Sequence, residues 1–335
     1  MKTFRKLNNL LGWIVFAFAS WVFLSTIEPT ASWWDCGEYI TTAFKLQVGH
    51  PPGAPLFQLL GRFFSLFAFG DTSKVAMMVN IMSALSSSAT ILFLFWSITM
   101  LGLKFTKDTE ISTGRMYAIL GSGLVGALAY TFSDSFWFSA VEGEVYAMSS
   151  FFTAIVFWAI LKWDQVADEP HSQRWIILIA YLMGLSIGVH LLNLVTLPAL
   201  AILYYFKKTK KIELKGAFMA FLGGLIILAV IMVGLITGLP TLSFSFDKIF
   251  VNTFGLPFAS GMIFFILLLI GGLAYGIYYS QKHGKATLNT ILLAFSFVLI
   301  GYSTYTIALI RSNYNPPINE NNPSDVLNFT YYLKR

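Results

Sequence analysis

Long apolar runs separated by short polar segments are the dominant pattern along the chain. Several runs exceed the ~18 apolar residues that mark a membrane-spanning helix. When Lys and Arg are placed at the cytoplasmic ends, the pattern predicts about nine spans, with the amino end inside and the carboxyl end outside. The predicted spans cover about residues 8–27, 75–103, 116–133, 143–162, two short spans within 175–206, 216–238, 261–280 and 286–310.

Residues 175–206 are apolar throughout, too long for one span and short for two at a rise of about 1.5 Å per residue. Basic residues flank both ends, so both ends are expected on the cytoplasmic side. The sequence therefore predicts a hairpin of two short spans that turns near His190–Asn193. Further on, residues 239–260 are predicted to form a loop between two spans.

The first loop, residues 28–74, is predicted to be extracytoplasmic and to contain two short helices. Ser32 and Asp35 match a capping box, and the helix that it starts is expected to end at Gly49. The stretch Ala54–Phe69 is apolar except for two polar residues on one face. Its ~16 residues are short for a crossing, so we expect an amphipathic helix in the membrane interface.

Composition supports this assignment and limits the classes of function. The chain has 335 residues, of which 56% are hydrophobic and 11% are charged, and a soluble domain carries about 25% charged residues. It is therefore predicted to be an all-α, multi-pass integral membrane protein. The net charge of +6 follows from cytoplasmic loops and does not indicate nucleic acid. The single cysteine, Cys36, excludes an intramolecular disulfide and a cysteine-based metal cluster, and it is expected to be inert.

The densest group of reactive side chains begins the first loop. Asp35 and Glu38 are three residues apart, so a helix projects both carboxylates from one face. Between Trp34 and Tyr39 at the edge of a membrane, desolvation would raise the carboxylate pKa and favour general-base chemistry. The alternative is that Asp35 only caps a helix and Glu38 is solvated. We favour the functional interpretation.

Other polar residues on the predicted outer side are candidates with open alternatives. His50 precedes Pro-Pro-Gly and could contact a ligand or only shape a turn. Glu142 and Glu144 bracket a glycine at a span mouth, where carboxylates are unlikely to face lipid. His190 and Asn193 interrupt an apolar run and could serve function or hydrogen-bond a helix kink.

Two arginines are candidates for binding a phosphate. Arg311 follows the last predicted span on the outer side, against the usual placement of positive charge inside. Its planar guanidinium suits a phosphate, but snorkelling to the headgroups explains it equally well. Arg62 has the same two explanations. The chain lacks the GxxxxGK and HExxH motifs, which argues against P-loop nucleotide hydrolysis and zinc hydrolysis.

Five motifs together resemble the DUF2723 family of TMEM260-type protein O-mannosyltransferases, within the GT-C glycosyltransferases. They are Trp34-Asp-Cys-Gly-Glu-Tyr39, Gly49-His-Pro-Pro-Gly53, Ala140-Val-Glu-Gly-Glu-Val-Tyr-Ala147, Gly188-Val-His-Leu-Leu-Asn193 and Asn315-Pro-Pro-Ile-Asn-Glu-Asn-Asn-Pro323. The resemblance covers almost the whole chain. It implies a GT-C-type transmembrane domain over residues 1–310. The tail 311–335 is expected to be extracytoplasmic and to begin a soluble region of the kind found in the family.

The resemblance implies transfer of a mannose-like sugar from a polyprenyl phosphate to an acceptor hydroxyl, Ser or Thr on a protein, outside the cytoplasm and with inversion. Asp35 would be the catalytic base and Glu38 its close partner. The residues expected to line donor or acceptor sites are Trp34, Tyr39, His50, Arg62, Glu142, Glu144, Tyr146, His190, Asn193, Arg311 and Asn315.

No cofactor is expected; a divalent metal at Asp35, Glu38 and His50 is a secondary possibility that chelators would test. The expected partners are the lipid-linked sugar, an acceptor protein and membrane lipids, and the expected location is the cell inner membrane. Two alternatives remain: a transporter or flippase for a lipid-linked substrate, and a non-catalytic membrane assembly subunit. The reactive groups crowd one face and not the midplane, which disfavours transport.

Overall fold

The fold is described from a computed structural model that covers residues 2–106 and 111–334. Helices dominate these residues, and the only β pairing among them is an isolated parallel bridge between Val48 and Asn319. The α-helices are α1 (Lys2–Ser25), α2 (Cys36–Lys45), α3 (Pro55–Ser65), α4 (Val75–Lys104), α5 (Thr113–Thr131), α6 (Asp134–Ala140), α7 (Val145–Val166), α8 (Gln173–Ile187), α9 (Leu197–Lys208), α10 (Leu214–Ala229), α11 (Leu239–Asn252), α12 (Ser260–Lys282), α13 (Ala286–Tyr302), α14 (Thr306–Ser312) and α15 (Val326–Leu333).

Seven helical segments in the described part of the chain are long and apolar enough to cross a membrane. An eighth arises if α5 and α6, which meet at a bend of 68°, form one span. The helix α8 is apolar but shorter. Each of the nine predicted spans corresponds to one of these elements. The prediction of an all-α polytopic membrane protein is therefore confirmed, with a span count that depends on the bent and short helices.

The chain divides into two compact units. The first contains the residues up to Lys45 and Phe57–Gln165. Within it α4 packs against α1 and α5, and aromatic rings join α4 to α7, with the Phe93 and Trp158 centroids 5.1 Å apart. The core is a cluster of buried apolar side chains from α1, α4, α5 and α6 that includes Phe23, Phe95 and Phe136.

The second unit contains Leu46–Leu56 and the chain from Val166 onward. Its helices pack in pairs: α8 with α13, α9 with α10, and α11 with α12. The break between α8 and the 3₁₀-helix Leu191–Thr196 lies at residues 188–190, where the sequence predicts a hairpin turn. The C-terminal helix α15 packs against α11.

The prediction of a loop at residues 239–260 is wrong for most of these residues, because they are helical. A nine-residue π-helix, Val230–Gly238, follows α10 and leads directly into α11, so only residues 253–259 are non-helical. Pro240 lies in the first turn of α11, where a proline is tolerated. The Ile236 carbonyl, four residues earlier, accepts a hydrogen bond from the Tyr302 hydroxyl at 2.9 Å, which replaces the donor that proline lacks.

The helix predicted to run from the capping box to Gly49 is shorter than expected. It starts at Cys36 and ends at Lys45, where Leu46 adopts a left-handed conformation with φ of 49°. The predicted amphipathic helix is present as α3 and a 3₁₀ turn at Leu66–Ala68. Its predicted position in the membrane interface stays a prediction.

Candidate active site

The amino end of α2 presents the predicted acid pair. The carbonyl of Asp35 accepts the N–H of Tyr39 at 2.9 Å, the bond that opens the helix. One carboxylate oxygen of Asp35 and one of Glu38 lie within 4.8 Å of each other. The preceding residue, Trp34, has φ of 62° and an indole that is 90% exposed. A left-handed tryptophan is costly and little packing holds its ring, a combination that is more frequent at functional sites than elsewhere.

A second pair of acids lies in the turn that precedes α7. Glu142 and Glu144 are 5% and 6% exposed. Oε2 of Glu144 accepts the N–H of Val145 at 2.6 Å, which caps α7. The thiol of Cys36 hydrogen-bonds to the carboxylate of Glu142, so this turn contacts the start of α2. Both acids therefore adjoin the predicted catalytic helix, as a site role requires.

Burial and the nearby carboxylates change the pKa of two side chains of α2. Burial raises the pKa of the Cys36 thiol to about 12, and the charges of Glu142, Glu144 and Asp35 add to the effect. Burial also raises the pKa of the Tyr39 phenol, with contributions from Glu144, Asp35 and Glu38. We name Asp35, Glu38, Glu142 and Glu144 the acid cluster. Carboxylates in such a place can accept a proton from a hydroxyl group.

One residue that supports the acid cluster was absent from the sequence prediction. Asn80 on α4 is fully buried, and its amide nitrogen donates to the carbonyls of Glu28 at 2.6 Å and Thr30 at 2.9 Å. These bonds hold the irregular segment before Asp35 against α4. The N–H of Glu28 also donates to the Val141 carbonyl at 3.1 Å, beside the second acid pair. A polar residue within an apolar span was the signal that could have identified Asn80.

The glycine between the two buried acids is required by close packing. A Cβ on Gly143 would lie 2.9 Å from Oδ1 of Asn80 and about 3.0 Å from the side chain of Ile40. Such contacts are tighter than side chains normally allow. Gly143 therefore lets the turn approach α2 and α4 together, which brings Glu142 and Glu144 to the start of α2.

Of the remaining candidates in the first unit, Tyr146 is 48% exposed and is an electrostatic neighbour of Tyr39. Arg62 contacts the C-terminal end of α2. Its Nη1 donates to the Phe44 carbonyl at 2.9 Å, and its guanidinium lies 5.5 Å from the centre of the Phe44 ring. The arginine therefore acts as a C-terminal cap for α2. The predicted role of Arg62 toward a phosphate stays a prediction.

The other candidates belong to the second unit. Nδ1 of His190 accepts the N–H of Leu192 at 3.1 Å, and burial lowers the pKa of this imidazole. Asn193 is fully buried and donates to Oγ of Ser186 at 3.0 Å, while its Oδ1 has no donor among the described residues. Both contacts match the alternative of a hydrogen-bonded helix break.

His50 and two C-terminal candidates also lie in the second unit. His50 is partly buried in the segment 46–53, which includes a cis peptide bond between Pro51 and Pro52. Nε of Arg311 donates to the Leu46 carbonyl at 2.6 Å, and the guanidinium lies 5.7 Å from the Tyr314 ring centre. Asn315 is exposed and left-handed, with φ of 47°. Arg311 is thus bound to the segment that carries His50.

The apolar helices and the acid cluster define a polytopic membrane protein with a carboxylate-rich site at the start of α2. The family of the protein O-mannosyl-transferase TMEM260 N-terminal domain matches residues 35–213, more than half of the chain. The chain belongs to this family, and all four acids of the cluster lie within the matched residues. The resemblance to the TMEM260-type family is confirmed over these residues.

Two curated relatives carry the family name. Protein O-mannosyl-transferase tmem260 of Dictyostelium discoideum is 27% identical over 198 residues, which is 58% of this chain and 22% of that protein. Protein O-mannosyl-transferase TMEM260 of Mus musculus is 27% identical over 174 residues, 52% of this chain and 22% of that protein. The matched region thus spans less than a quarter of these relatives. No solved structure matches the chain significantly.

Proposed function

We propose that this chain is the membrane part of a glycosyltransferase. It transfers a mannose-like sugar from a polyprenyl phosphate to a Ser or Thr hydroxyl of an acceptor protein. The relatives' names support the transfer of mannose to protein. The observation that carries the proposal is the close packing of the Glu142–Glu144 turn against α2, the helix whose amino end presents Asp35 and Glu38, inside the family-matched residues.

In the proposed mechanism Asp35 accepts the proton of the acceptor hydroxyl while the oxygen attacks the anomeric carbon of the sugar. The bond from that carbon to the phosphate oxygen breaks, and the polyprenyl phosphate leaves. Attack opposite the leaving group, without a covalent enzyme intermediate, inverts the anomeric centre. One carboxylate oxygen of Glu38 lies within 4.8 Å of one of Asp35, so Glu38 is the close partner of the proposed base.

The proposal assigns the leaving phosphate to a cation, with Arg62 and Arg311 as the candidates, in addition to the backbone carbonyls that they hold. The exposed ring of Trp34 and the half-exposed ring of Tyr146 are suited to stack on a sugar or a lipid. A GT-C arrangement, an extracytoplasmic site and a location in the inner membrane are parts of the same proposal. The reaction as written needs no metal ion.

The test uses membranes from cells with and without the gene, incubated with labelled mannose on polyprenyl phosphate. We expect label in protein that depends on the gene, that is released by β-elimination and that has the opposite anomeric configuration to the donor. Chelators should leave the rate unchanged. Gene-dependent movement of the lipid-linked sugar across the membrane without transfer to protein would contradict the proposal and indicate a flippase.

A further inference from the structure

The segment Leu46–Gly53, here named the His50 loop, is bound along its backbone to the C-terminal segment, residues 311–334. The N–H of Val48 donates to the Ile318 carbonyl at 3.1 Å, and the N–H of Glu320 donates back to the Val48 carbonyl at 3.0 Å. The side-chain oxygen of Gln47 accepts the N–H of Ile318 at 2.7 Å. These bonds join two motifs that are more than 260 residues apart in the sequence.

Side chains from the C-terminal part of the chain bind further carbonyls of the His50 loop. Arg311 donates to the Leu46 carbonyl at 2.6 Å. The hydroxyl of Tyr332 donates to the Gly49 carbonyl at 2.8 Å, and that of Tyr305 to the Gly53 carbonyl at 3.2 Å. Together with Val48, four carbonyls on both sides of His50 therefore accept bonds from one part of the chain. Half of the loop's eight backbone carbonyls are therefore satisfied by that part of the chain.

Gly53, at the end of the His50 loop, has the backbone conformation and the small size that the contact with Tyr332 needs. Its φ of 79° is a left-handed conformation that glycine adopts at little cost. The hydroxyl of Tyr332 occupies the place where a Cβ of residue 53 would lie. Tyr332 is 1% exposed, so its ring cannot move away without disturbing the packing of α15. The position of the Tyr332 hydroxyl therefore requires a glycine at residue 53.

The C-terminal segment is itself ordered by its own hydrogen bonds. Asp325 caps α15, since its Oδ1 accepts the N–H groups of Leu327 and Asn328, both at 2.9 Å. Oγ of Ser312 contacts the amide oxygens of Asn319 and Asn322, both at 2.9 Å. A segment ordered in this way can hold the His50 loop in one conformation, whereas a flexible linker could not. It lies outside the family-matched residues 35–213.

We propose that the C-terminal segment positions the His50 loop, with Tyr332 as the principal positioning residue. The segment sets the direction of His50 and the shape of the turn that follows it. For function, the inference rests on the proposed transferase activity: the positioned loop binds the donor or the acceptor. Loss of the Tyr332 hydroxyl then frees the loop and weakens substrate binding, while the chemical step at the acid cluster is retained.

The test measures hydrogen exchange by mass spectrometry on the full chain in lipid nanodiscs. Tyr332→Phe removes the hydroxyl alone, and Tyr331→Phe is the matched control because this neighbour on α15 is 58% exposed. We expect peptides covering residues 46–53 to exchange about fivefold to tenfold faster in Tyr332→Phe. Peptides from α4 and α13 should exchange as in the unchanged protein, and Tyr331→Phe should match it throughout.

A second variant and a kinetic measurement complete the test. Tyr305, just before the C-terminal segment, donates its hydroxyl to the carbonyls of both Gly53 and Ile187, each at 3.2 Å. Tyr305→Phe removes both bonds and should also speed exchange of peptides covering residues 46–53. In transfer assays, Tyr332→Phe should raise KM about fivefold to tenfold with kcat nearly unchanged, because positioning acts on binding. Unchanged loop exchange in both variants, or faster exchange spread over all helices, would overturn the proposal. Absence of transfer in the unchanged protein would remove the proposed function and leave the exchange result standing.

Discussion

The one cysteine of the chain lies inside the acid cluster and can report on it. Cys36 is fully buried, and its pKa is raised from 9.0 to about 12 by burial, by Glu142 and by the neighbouring acids. At pH 8 a thiol with a pKa of 9 is about one-tenth thiolate, and a thiol with a pKa of 12 about one ten-thousandth. Because only the thiolate reacts with maleimide, this shift, caused first by burial and increased by the acid cluster, predicts a roughly 1,000-fold slower reaction at this pH.

The assay is maleimide labelling of the purified chain in detergent, followed by intact-mass analysis from pH 7 to pH 11. In the native protein the rate should rise about tenfold per pH unit throughout this range, whereas the unfolded chain should level off above about pH 9. This difference separates a raised pKa from poor access, since access lowers the rate equally at every pH.

Glu142→Gln is the informative perturbation. It keeps the shape of the side chain but removes a negative charge from beside the Cys36 thiol. A fall of one pKa unit, which is typical for the loss of one close charge, would raise the labelling rate about tenfold at pH 8. Glu169→Gln, at an exposed acid in a turn of the second unit, is the control and should change nothing. A native pH profile that levels off near pH 9, or identical profiles for the two variants, would refute the reasoning.

Individual contacts elsewhere in the chain support three more predictions. Asn80→Leu removes two donors from backbone carbonyls and should lower the free energy of unfolding by about 2–4 kcal/mol, measured by thermal exposure of the cysteine. Gly143→Ala should cost about 1–3 kcal/mol in the same assay, whereas Gly37→Ala, with open space around it, should cost much less. Burial lowers the folded pKa of His190, so the unfolded chain binds more protons and stability should fall as pH drops below about 6.5. His190→Gln should flatten this dependence in melting curves recorded between pH 5 and pH 8.

Local pattern predicted those parts of the fold that depend on local physics. A membrane span needs only a sufficiently long apolar run, so hydropathy located the helices and the break near residue 190. The same reasoning failed at Pro240, because a distant hydroxyl, that of Tyr302, supplies the hydrogen bond that proline lacks. Sequence near the proline gives no indication of such a donor.

The candidate site also has parts that local sequence could predict and parts that depend on long-range contacts. Asp35 and Glu38 could be paired from their spacing on one helix, and Glu142 and Glu144 from their place at a span mouth. The two pairs come together because of Asn80 and Gly143. These two residues act through contacts with residues that are 50 or more positions away in the sequence, so local sequence does not reveal them. The binding of the C-terminal segment to the His50 loop was missed for the same reason, since backbone pairing at long range leaves no periodic signal.

The most direct test of the central claim, that the acid cluster performs the transfer chemistry, is the transfer rate of Asp35→Asn in native membranes. Asp71→Asn is the matched control, because Asp71 lies in the same loop but caps a 3₁₀ turn and pairs with Lys74 at 3.1 Å. We expect Asp35→Asn to insert and fold normally and to lose about 10²–10⁴-fold in rate, as loss of a general base predicts. The control should retain its rate. Transfer at the full rate by Asp35→Asn would contradict the claim.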